Sequence, residues 1–370
     1  MLNKPLKKIL IVINSLSFGG AERLVVNQAN YLRMAGYEVD VLTILPKKPG
    51  FYDNLIFSGG KLLHIDAGGF SLRGIWMIAK IIRRGKYEVI MTHLFLANTL
   101  VRLACLFIFW PGKIIAYEHN VYKNEKRFKH LLIDRLLSFL THKIVAVSDE
   151  VEDYLIKNGI SKNKITVIQN GVSADNLKNI LSPSQIRKEL GFTKEDILVV
   201  SNGNINPQKG YETLIKAAEK VIGRNPKINF LICGLDTSQY SQSLKNQALN
   251  SRYSNQIHFL GARPDAVAIV NCADIFVMPS LWEGLSLSLL ESLMLGKIVV
   301  VSDIPSMTAL VKNGYNGITF VAGDAEALAK AIINIVGHPV NFQSIKDKAK
   351  ETGESYSIEK NIERIIFIID

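Results

Sequence analysis

The chain has 370 residues and a mass of 41.2 kDa, of which 48% are hydrophobic and 21% charged. This length suggests two domains, and the composition excludes a disordered, fibrous or collagen-like chain. The formal net charge is +11, and the whole excess precedes residue 171, where 24 lysines and arginines stand against 13 acids; such a one-sided field favours an anionic partner.

The first half of the chain alternates short apolar runs with segments of helical period. This alternation predicts βαβ units and a parallel sheet, hence one complete α/β domain. The predicted strands are Lys8–Ile13, Tyr37–Ile44, Val89–Thr92, Ile114–Glu118, Lys143–Ser148 and Ile165–Gln169. Helices are predicted near 21–35, 71–85, 94–108, 126–141 and 149–158.

The alternation starts again after a polar stretch that follows Asn170-Gly171-Val172. Strands are predicted at Ile197–Ser201, Asn229–Cys233, Ile257–Leu260, Ile275–Met278 and Ile298–Ser302. Helices are predicted near 211–223, 237–250, 264–271, 285–295, 305–312, 325–336 and 357–369. Two tandem doubly wound domains bind ligands at the carboxyl ends of their strands, so function is sought there.

The cysteines and apolar runs favour a cytoplasmic protein. Cys105, Cys233 and Cys272 lie far apart and form no CxxC pair, which fits a reducing compartment. The first apolar run has about five residues, too few for a signal-peptide core, and no run reaches the roughly 18 residues of a membrane span.

Two loops follow the first strand of each half. Gly19-Gly20 opens the first helix, where backbone N–H groups can approach an anion, although a tight turn explains the same pair. Ser201–Gly210 offers Lys209 as a point charge for a diphosphate, or as an ordinary solvated lysine.

The most specific pattern lies between Met278 and Glu291. A strand ends near Pro279, a loop carries Glu283, and the expected helix begins at Gly284-Leu285-Ser286, whose free N–H groups can hold phosphate. Glu291 follows on a largely apolar helix, where a buried acid requires a partner. The two vicinal hydroxyls of a ribose supply two donors to one carboxylate.

At these residues the chain resembles the retaining nucleotide-sugar glycosyltransferases of family 4, which have the GT-B fold. The resemblance rests on Glu283…Glu291, on Gly19-Gly20, on Asn170-Gly171-Val172 and on the Pro-Gln-Lys209-Gly210 loop. It implies two Rossmann-like domains facing across a cleft: an acceptor-binding domain at 1–172, joined by a crossing helix at 357–370, and a nucleotide-sugar-binding domain at 173–356.

The resemblance also implies roles for individual residues. Glu291 binds the ribose, Glu283 contacts the donor sugar and Lys209 neutralises the departing diphosphate. His119 matches the family histidine near the scissile bond, and Gly19 and Gly20 lie on the acceptor side, Gly20 also near the donor. The remaining donor-binding positions are Asn204, Gly234, Arg263, Gly284, Leu285 and Ser286.

One departure from the family pattern concerns phosphate charge. The family usually has Gly-Arg where this chain has Gly203-Asn204, so one expected cation is absent and Arg263 or Arg23 is a candidate replacement. No DxD-type acidic pair occurs in a suitable loop, so the sequence requires no metal and no cofactor. The resemblance implies retention by front-face attack, with a covalent intermediate through Glu283 as the alternative.

Two segments carry much of the basic charge, Ser71–Tyr87 and Tyr122–Lys143. Both read as basic amphipathic helices, which either lie on an anionic membrane or simply have solvated basic faces. We expect a peripheral enzyme on the inner face of the cytoplasmic membrane, acting on a saccharide acceptor that is lipid-linked, with a UDP-sugar donor and a place in O-antigen, capsule or lipopolysaccharide synthesis. Trp76 and the run at 103–111 are the expected membrane contacts.

Three other functions fit part of the pattern. A GT-B epimerase or phosphorylase uses the same cleft, and a non-catalytic GT-B protein would explain Asn204. Nucleic-acid binding fits the charge, but no zinc finger, helix-turn-helix or stacking strand accompanies it. We therefore expect no nucleic-acid partner.

Overall fold

The computed structural model describes residues 7–56, 58–121, 128–178 and 180–370, with the backbone alone at 128, 129, 340 and 341. The chain forms two compact units. One contains the chain up to Gly171 together with Ile358–Asp370, and the other contains Val172–Ser357. Residues 122–127 of the second basic segment lie outside the described residues.

The first unit is built on a seven-stranded sheet in the order β3-β2-β1-β4-β5-β6-β7, with every paired neighbour parallel. Strand β1 is buried from Ile9 to Ile13, as expected when helices cover both faces of a parallel sheet. The strands are β1 Lys8–Ile13, β2 Glu38–Thr43, β3 Leu62–His64, β4 Val89–His93, β5 Lys113–Glu118, β6 Lys143–Ala146 and β7 Ile165–Val167.

Five helices connect these strands and a last one returns from the end of the chain. They are α1 Gly20–Met34, α2 Leu72–Gly85, α3 Phe95–Phe107, α4 Phe128–Leu137, α5 Asp149–Lys157 and α15 Ile358–Ile369. No helix of the described ranges is long and apolar enough to cross a bilayer.

The second unit holds a six-stranded parallel sheet in the order β10-β9-β8-β11-β12-β13. Its strands are β8 Ile197–Asn202, β9 Ile228–Cys233, β10 Ile257–Gly261, β11 Ile275–Met278, β12 Ile298–Ser302 and β13 Ile318–Phe320. Its helices are α6 Asp175–Lys178, α7 Pro183–Glu189, α8 Tyr211–Ile222, α9 Gln239–Leu249, α10 Ala266–Cys272, α11 Leu287–Met294, α12 Pro305–Thr308, α13 Ala325–Gly337 and α14 Gln343–Glu354.

The predicted doubly wound sheets are confirmed. The strands and helices that the sequence did not predict are short or polar. The hydropathy pattern did not predict β3 and β13, which have three residues each, too few for an apolar period to show. It also missed α6, α7 and α14. Helix α14 buries only Ile345, Ala349 and Gly353, so its sequence reads as a polar connection.

The expected return of the last helix to the first domain is confirmed. Helix α15 packs on α1, and Ile365 and Ile369 are fully buried. The Asn361 amide donates to Gln169 O at 2.7 Å and accepts from Gln28 Nε2 at 3.3 Å. Helix α15 is therefore held on the first unit by its buried apolar face and by the hydrogen bonds of Asn361.

Two substitutions on α15 test how much this contact stabilises the first unit. Ile365→Ala should lower the free energy of unfolding by about 2–5 kcal/mol, because it removes buried methyl groups from a packed interface. Phe367→Ala on the same helix is the control, since Phe367 is 86% exposed, and it should change stability by about 0.5 kcal/mol or less. Urea unfolding measures both, and equal losses would contradict the packing described.

Candidate active site

A buried carboxylate organises the carboxyl edge of the second sheet. Glu283 follows β11 and is only 6% exposed. Its Oε1 accepts from Lys209 Nζ at 2.5 Å and from the Ser280 hydroxyl at 2.8 Å. Its Oε2 accepts from Gln208 Nε2 at 3.1 Å. The structure therefore brings together two predicted site residues, Lys209 and Glu283, as a nearly buried ion pair.

The loops that carry this pair are tied to each other through the backbone. Leu281 N donates to Gln208 O at 2.7 Å, and Gln208 Nε2 donates to Trp282 O at 3.0 Å. Gly210 has φ +63°, and a Cβ there would lie 2.0 Å from Pro279 O. Only glycine permits both the left-handed backbone and this close approach, so Lys209 is presented from a rigid turn.

Helix α11 starts later than the sequence indicated. Ser286 is the N-cap, and its hydroxyl accepts from Leu289 N at 3.4 Å, so the helix begins at Leu287. The expected helix start at Gly284–Ser286 is therefore wrong by one to three residues, because a serine hydroxyl favours the cap over the interior. Gly284 and Leu285 belong to the loop, and Glu291 lies in the second turn, 3% exposed.

Gly203 and Gly234 bring the loops after β8 and β9 together at the carboxyl edge of the second sheet. Gly234 has φ +153°, and a Cβ there would lie 1.9 Å from Gly203 O. Asn204 Oδ1 accepts from Leu235 N at 3.3 Å. Asn204 thus links the loops after β8 and β9 and supplies no positive charge.

The two arginines considered as replacement cations have other contacts. Arg263 Nε donates to Asp265 Oδ1 at 2.8 Å and Nη2 donates to Glu189 Oε1 at 2.7 Å. These carboxylates raise the pKa of Arg263 above its usual value. In the first unit, the Arg23 guanidinium lies 4.9 Å from the ring centre of Phe51. Of the three predicted cations, Lys209 is therefore the one that forms an ion pair with Glu283.

At the Gly19-Gly20 turn of the first unit, the side-chain carboxyl group of Glu22 lies against the start of helix α1. Gly19 is the N-cap of α1, and a Cβ there would lie 2.3 Å from Glu22 Oε2. Burial raises the pKa of Glu22 to about 7. The close approach that Gly19 permits is thus used by Glu22, whereas a Cβ at Gly20 would meet no atom of the described residues within 4 Å.

His119 lies at the carboxyl edge of the first sheet, directly after β5, and it is half-buried. Its Nε2 is 3.0 Å from Nδ1 of His93, the fully buried last residue of β4. The His93 ring stacks on Tyr117 with the ring centres 4.3 Å apart. Burial lowers the pKa of His119 to about 4 and the pKa of His93 well below its ordinary value.

Sequence reasoning missed His93, Gln208 and Ser280. A signal existed for His93, because it ends a buried strand beside the strand that leads to His119. Gln208 and Ser280 carried none, since a polar residue next to a predicted site residue is ordinary in a loop. Only the fold brings their donors onto Glu283.

Two protein-family models match the chain. The model described as glycosyltransferase family 4 matches residues 18–176, and the model described as glycosyl transferases group 1 matches residues 183–352. Together they span both units. The group 1 match contains the loops of Lys209 and Glu283, and the family 4 match contains the two histidines.

Curated relatives and solved structures agree with these matches. The chain is 24% identical to an Escherichia coli UDP-Gal:alpha-D-GlcNAc-diphosphoundecaprenol alpha-1,3-galactosyltransferase over 80% of this chain and 78% of that protein. It is 27% identical to a Campylobacter jejuni N,N'-diacetylbacillosaminyl-diphospho-undecaprenol alpha-1,3-N-acetylgalactosaminyltransferase over 70% and 71% of the two chains. The crystal structure of Anabaena HepE with UDP and glucose superposes with a TM-score of 0.85 at 21% identity, covering 97% and 98%.

The lowered histidine pKa predicts a loss of stability in acid. With its pKa at about 4 in the folded state and about 6.5 in the unfolded chain, His119 binds protons more readily when unfolded. The contribution of the neutral His119 ring to the free energy of unfolding is complete above about pH 6.5 and is lost as the pH falls towards 4. We expect His119→Gln to lose less stability than the wild type between about pH 7 and pH 4.5 in urea unfolding. Equal losses would contradict this assignment.

Proposed function

The chain belongs to the group 1 glycosyltransferases, with the GT-B fold, and we propose that it moves a sugar from a UDP-sugar to a lipid-linked saccharide with retention of configuration. The observation that carries this proposal is the buried Glu283 carboxylate held against Lys209. A lysine and a carboxylate beside a helix start are the groups that a sugar diphosphate needs, a cation for phosphate and an acceptor for hydroxyls.

Each half of the donor has a partner in this proposal. Glu291 accepts from the ribose hydroxyls, while Glu283 accepts from a hydroxyl of the transferred sugar. The N-terminal end of α11 points the partial positive charge of the helix dipole at the diphosphate. Lys209 adds a full charge.

The reaction follows from the charges that develop. As the bond from the anomeric carbon to the phosphate oxygen breaks, positive charge grows on the sugar and negative charge on the diphosphate. Lys209 stabilises the diphosphate more in the transition state than in the ground state. The acceptor oxygen forms the new bond on the same face, and its proton passes to the departing phosphate oxygen.

The relatives support the classes of donor and acceptor. Both named transferases carry a diphosphoundecaprenol acceptor in their names, and the Escherichia coli protein also carries UDP-Gal. The superposed Anabaena structure contains UDP and glucose. We therefore propose a UDP-sugar as donor and a place in the synthesis of a bacterial surface polysaccharide.

Calorimetric titration of UDP, GDP and ADP tests the donor assignment. Without added metal, UDP should bind, and Glu291→Ala should weaken it about 10- to 100-fold, because hydrogen bonds to a charged group are lost. Glu359→Ala, an exposed acid on α15, should bind UDP like the wild type. Failure of the wild type to bind any nucleotide, with or without Mg²⁺, would overturn the proposal, and a product of inverted configuration would overturn retention.

The outer helices of the first unit support docking to an anionic membrane. The exposed charged side chains described on α2, its C-cap and α4 are all cationic: Arg73, Lys80, Arg83, Arg84, Lys86 and Arg135. Large apolar side chains are exposed on α2, α3, α4 and the residues that follow α3 and α4: Leu72, Trp76, Leu106, Phe107, Phe109, Leu132, Leu136 and Phe139. Cations interspersed with aromatic groups fit a surface of anionic lipid headgroups.

The structure limits which apolar residues are available for that contact. Ile78 and Ile82 of the basic segment 71–87 are buried in the core, and Ile75 and Ile81 pack against it. Phe109 has φ +50° and is 88% exposed. A left-handed backbone after a helix favours glycine, and an exposed side chain packs against nothing in the core. Phe109 therefore does not stabilise the fold at this position. We propose that Phe107 and Phe109, which lie in the expected run 103–111, enter the lipid.

Vesicle flotation measures this contact. At low salt the protein should float with phosphatidylglycerol-containing vesicles and stay behind with phosphatidylcholine alone. The double variant Phe107→Ser/Phe109→Ser should lose most of the bound fraction, while Phe367→Ser, equally exposed on α15, should keep it. The absence of binding by the wild type, or equal loss in both variants, would exclude this surface.

A further inference from the structure

The pair His93 and His119 joins two neighbouring strands at the carboxyl edge of the first sheet. Strands β4 and β5 are parallel and in register, with His93 opposite Tyr117. His119 therefore reaches the His93 ring from two residues further along, and the two ring nitrogens stand 3.0 Å apart. Tyr117 packs flat beneath His93 with an interplanar angle of 15°. Tyr117 and His119 thus both contact the His93 ring.

A hydrogen bond between two imidazoles requires one donor and one acceptor. Two positively charged rings would both be donors at this distance, and the lowered pKa values keep both rings neutral. Each ring then carries a single proton. Either His93 donates from Nδ1 to His119 Nε2, or His119 donates from Nε2 to His93 Nδ1.

The far nitrogen of His93 distinguishes these arrangements. His93 Nε2 is buried and has no hydrogen-bond partner among the described residues. If His93 accepted at Nδ1, its proton would sit on Nε2 as a buried donor with no acceptor, a rare and costly state. If His93 donates from Nδ1, Nε2 carries only a lone pair. The second state leaves no N–H group unpaired.

We propose that His93 is a positioning residue that holds His119 in the tautomer protonated at Nδ1. His119 Nε2 then accepts from His93, and its Nδ1–H is directed to a ligand oxygen. This deepens the proposed function, on which it rests for the identity of the ligand, a sugar hydroxyl or ring oxygen. His119 thus recognises the sugar by donating one hydrogen bond from a neutral ring.

The same tautomer limits the chemistry of His119. Its Nε2 lone pair is occupied by the bond from His93, and its Nδ1 already carries a proton. No nitrogen of the ring is free to take the proton of the acceptor hydroxyl. That proton must pass to another oxygen, which agrees with its proposed transfer to the departing phosphate.

Nuclear magnetic resonance detects the tautomer directly, without substrate. In protein labelled with ¹⁵N at histidine, long-range proton–nitrogen spectra should show His119 protonated at Nδ1, with the signal assigned by its loss in His119→Gln. His93→Asn should keep this pattern, since the Asn amide can donate from nearly the place of Nδ1. His93→Phe keeps the stacked ring and removes the donor, so His119 should lose the fixed tautomer. A wild-type His119 protonated at Nε2 would overturn the proposal.

Kinetics separate this role from a structural one. His93→Phe should raise KM for the UDP-sugar about 3- to 10-fold, the value of one neutral hydrogen bond, with a smaller change in kcat. His93→Asn should stay near the wild type. The affinity for UDP alone, which depends on the second unit, should not change in either variant. If UDP binds and His93→Phe leaves both the tautomer and KM unchanged, this inference fails, whereas absent UDP binding contradicts the proposed function alone.

Discussion

Burial of a charged carboxylate is the constraint that organises the second unit. An ionised group removed from water is costly unless other groups replace its hydration, and Glu283 has three such donors, Lys209, Ser280 and Gln208. Each donor comes from a loop at a strand end, so those loops must hold their positions for the charge to be tolerated. The site and the stability of these loops therefore depend on the same contacts.

Glycines make this arrangement possible by allowing backbones to approach. Gly210 fits against Pro279 O and Gly234 against Gly203 O, at distances that no side chain would permit. The loops after β8, β9 and β11 are thereby held at one edge. A polar but uncharged Asn204 completes this network, which explains why the position can hold an amide while Lys209 provides the charge.

The first unit buries charged and polar groups of its own, and its outer surface is basic. Arg102, 1% exposed, pairs with Asp134 at 3.3 Å, and Asn98 donates to Glu118 at 3.0 Å behind the strand that leads to His119. Its outer helices present cations and aromatic groups. The neutral histidine pair and the basic, partly apolar surface suit the two tasks proposed for this unit, which are holding a sugar by a neutral hydrogen bond and meeting an anionic lipid surface.

The sequence by itself determined the two parallel sheets, because long buried strands leave a local pattern, and the family resemblance implied the return of α15. The sequence also singled out Lys209, Glu283 and Glu291 as candidate site residues, because their loops are local patterns, and their roles stay predictions. It misplaced the start of α11, since Ser286 as a cap and Ser286 as a first residue look alike without the Leu289 N–H bond. The tertiary structure decided what depends on distant contacts. It tied Arg263 to Glu189, put Ile78 and Ile82 in the core, and set His93 against His119, because residues of separate elements become neighbours only when the chain folds.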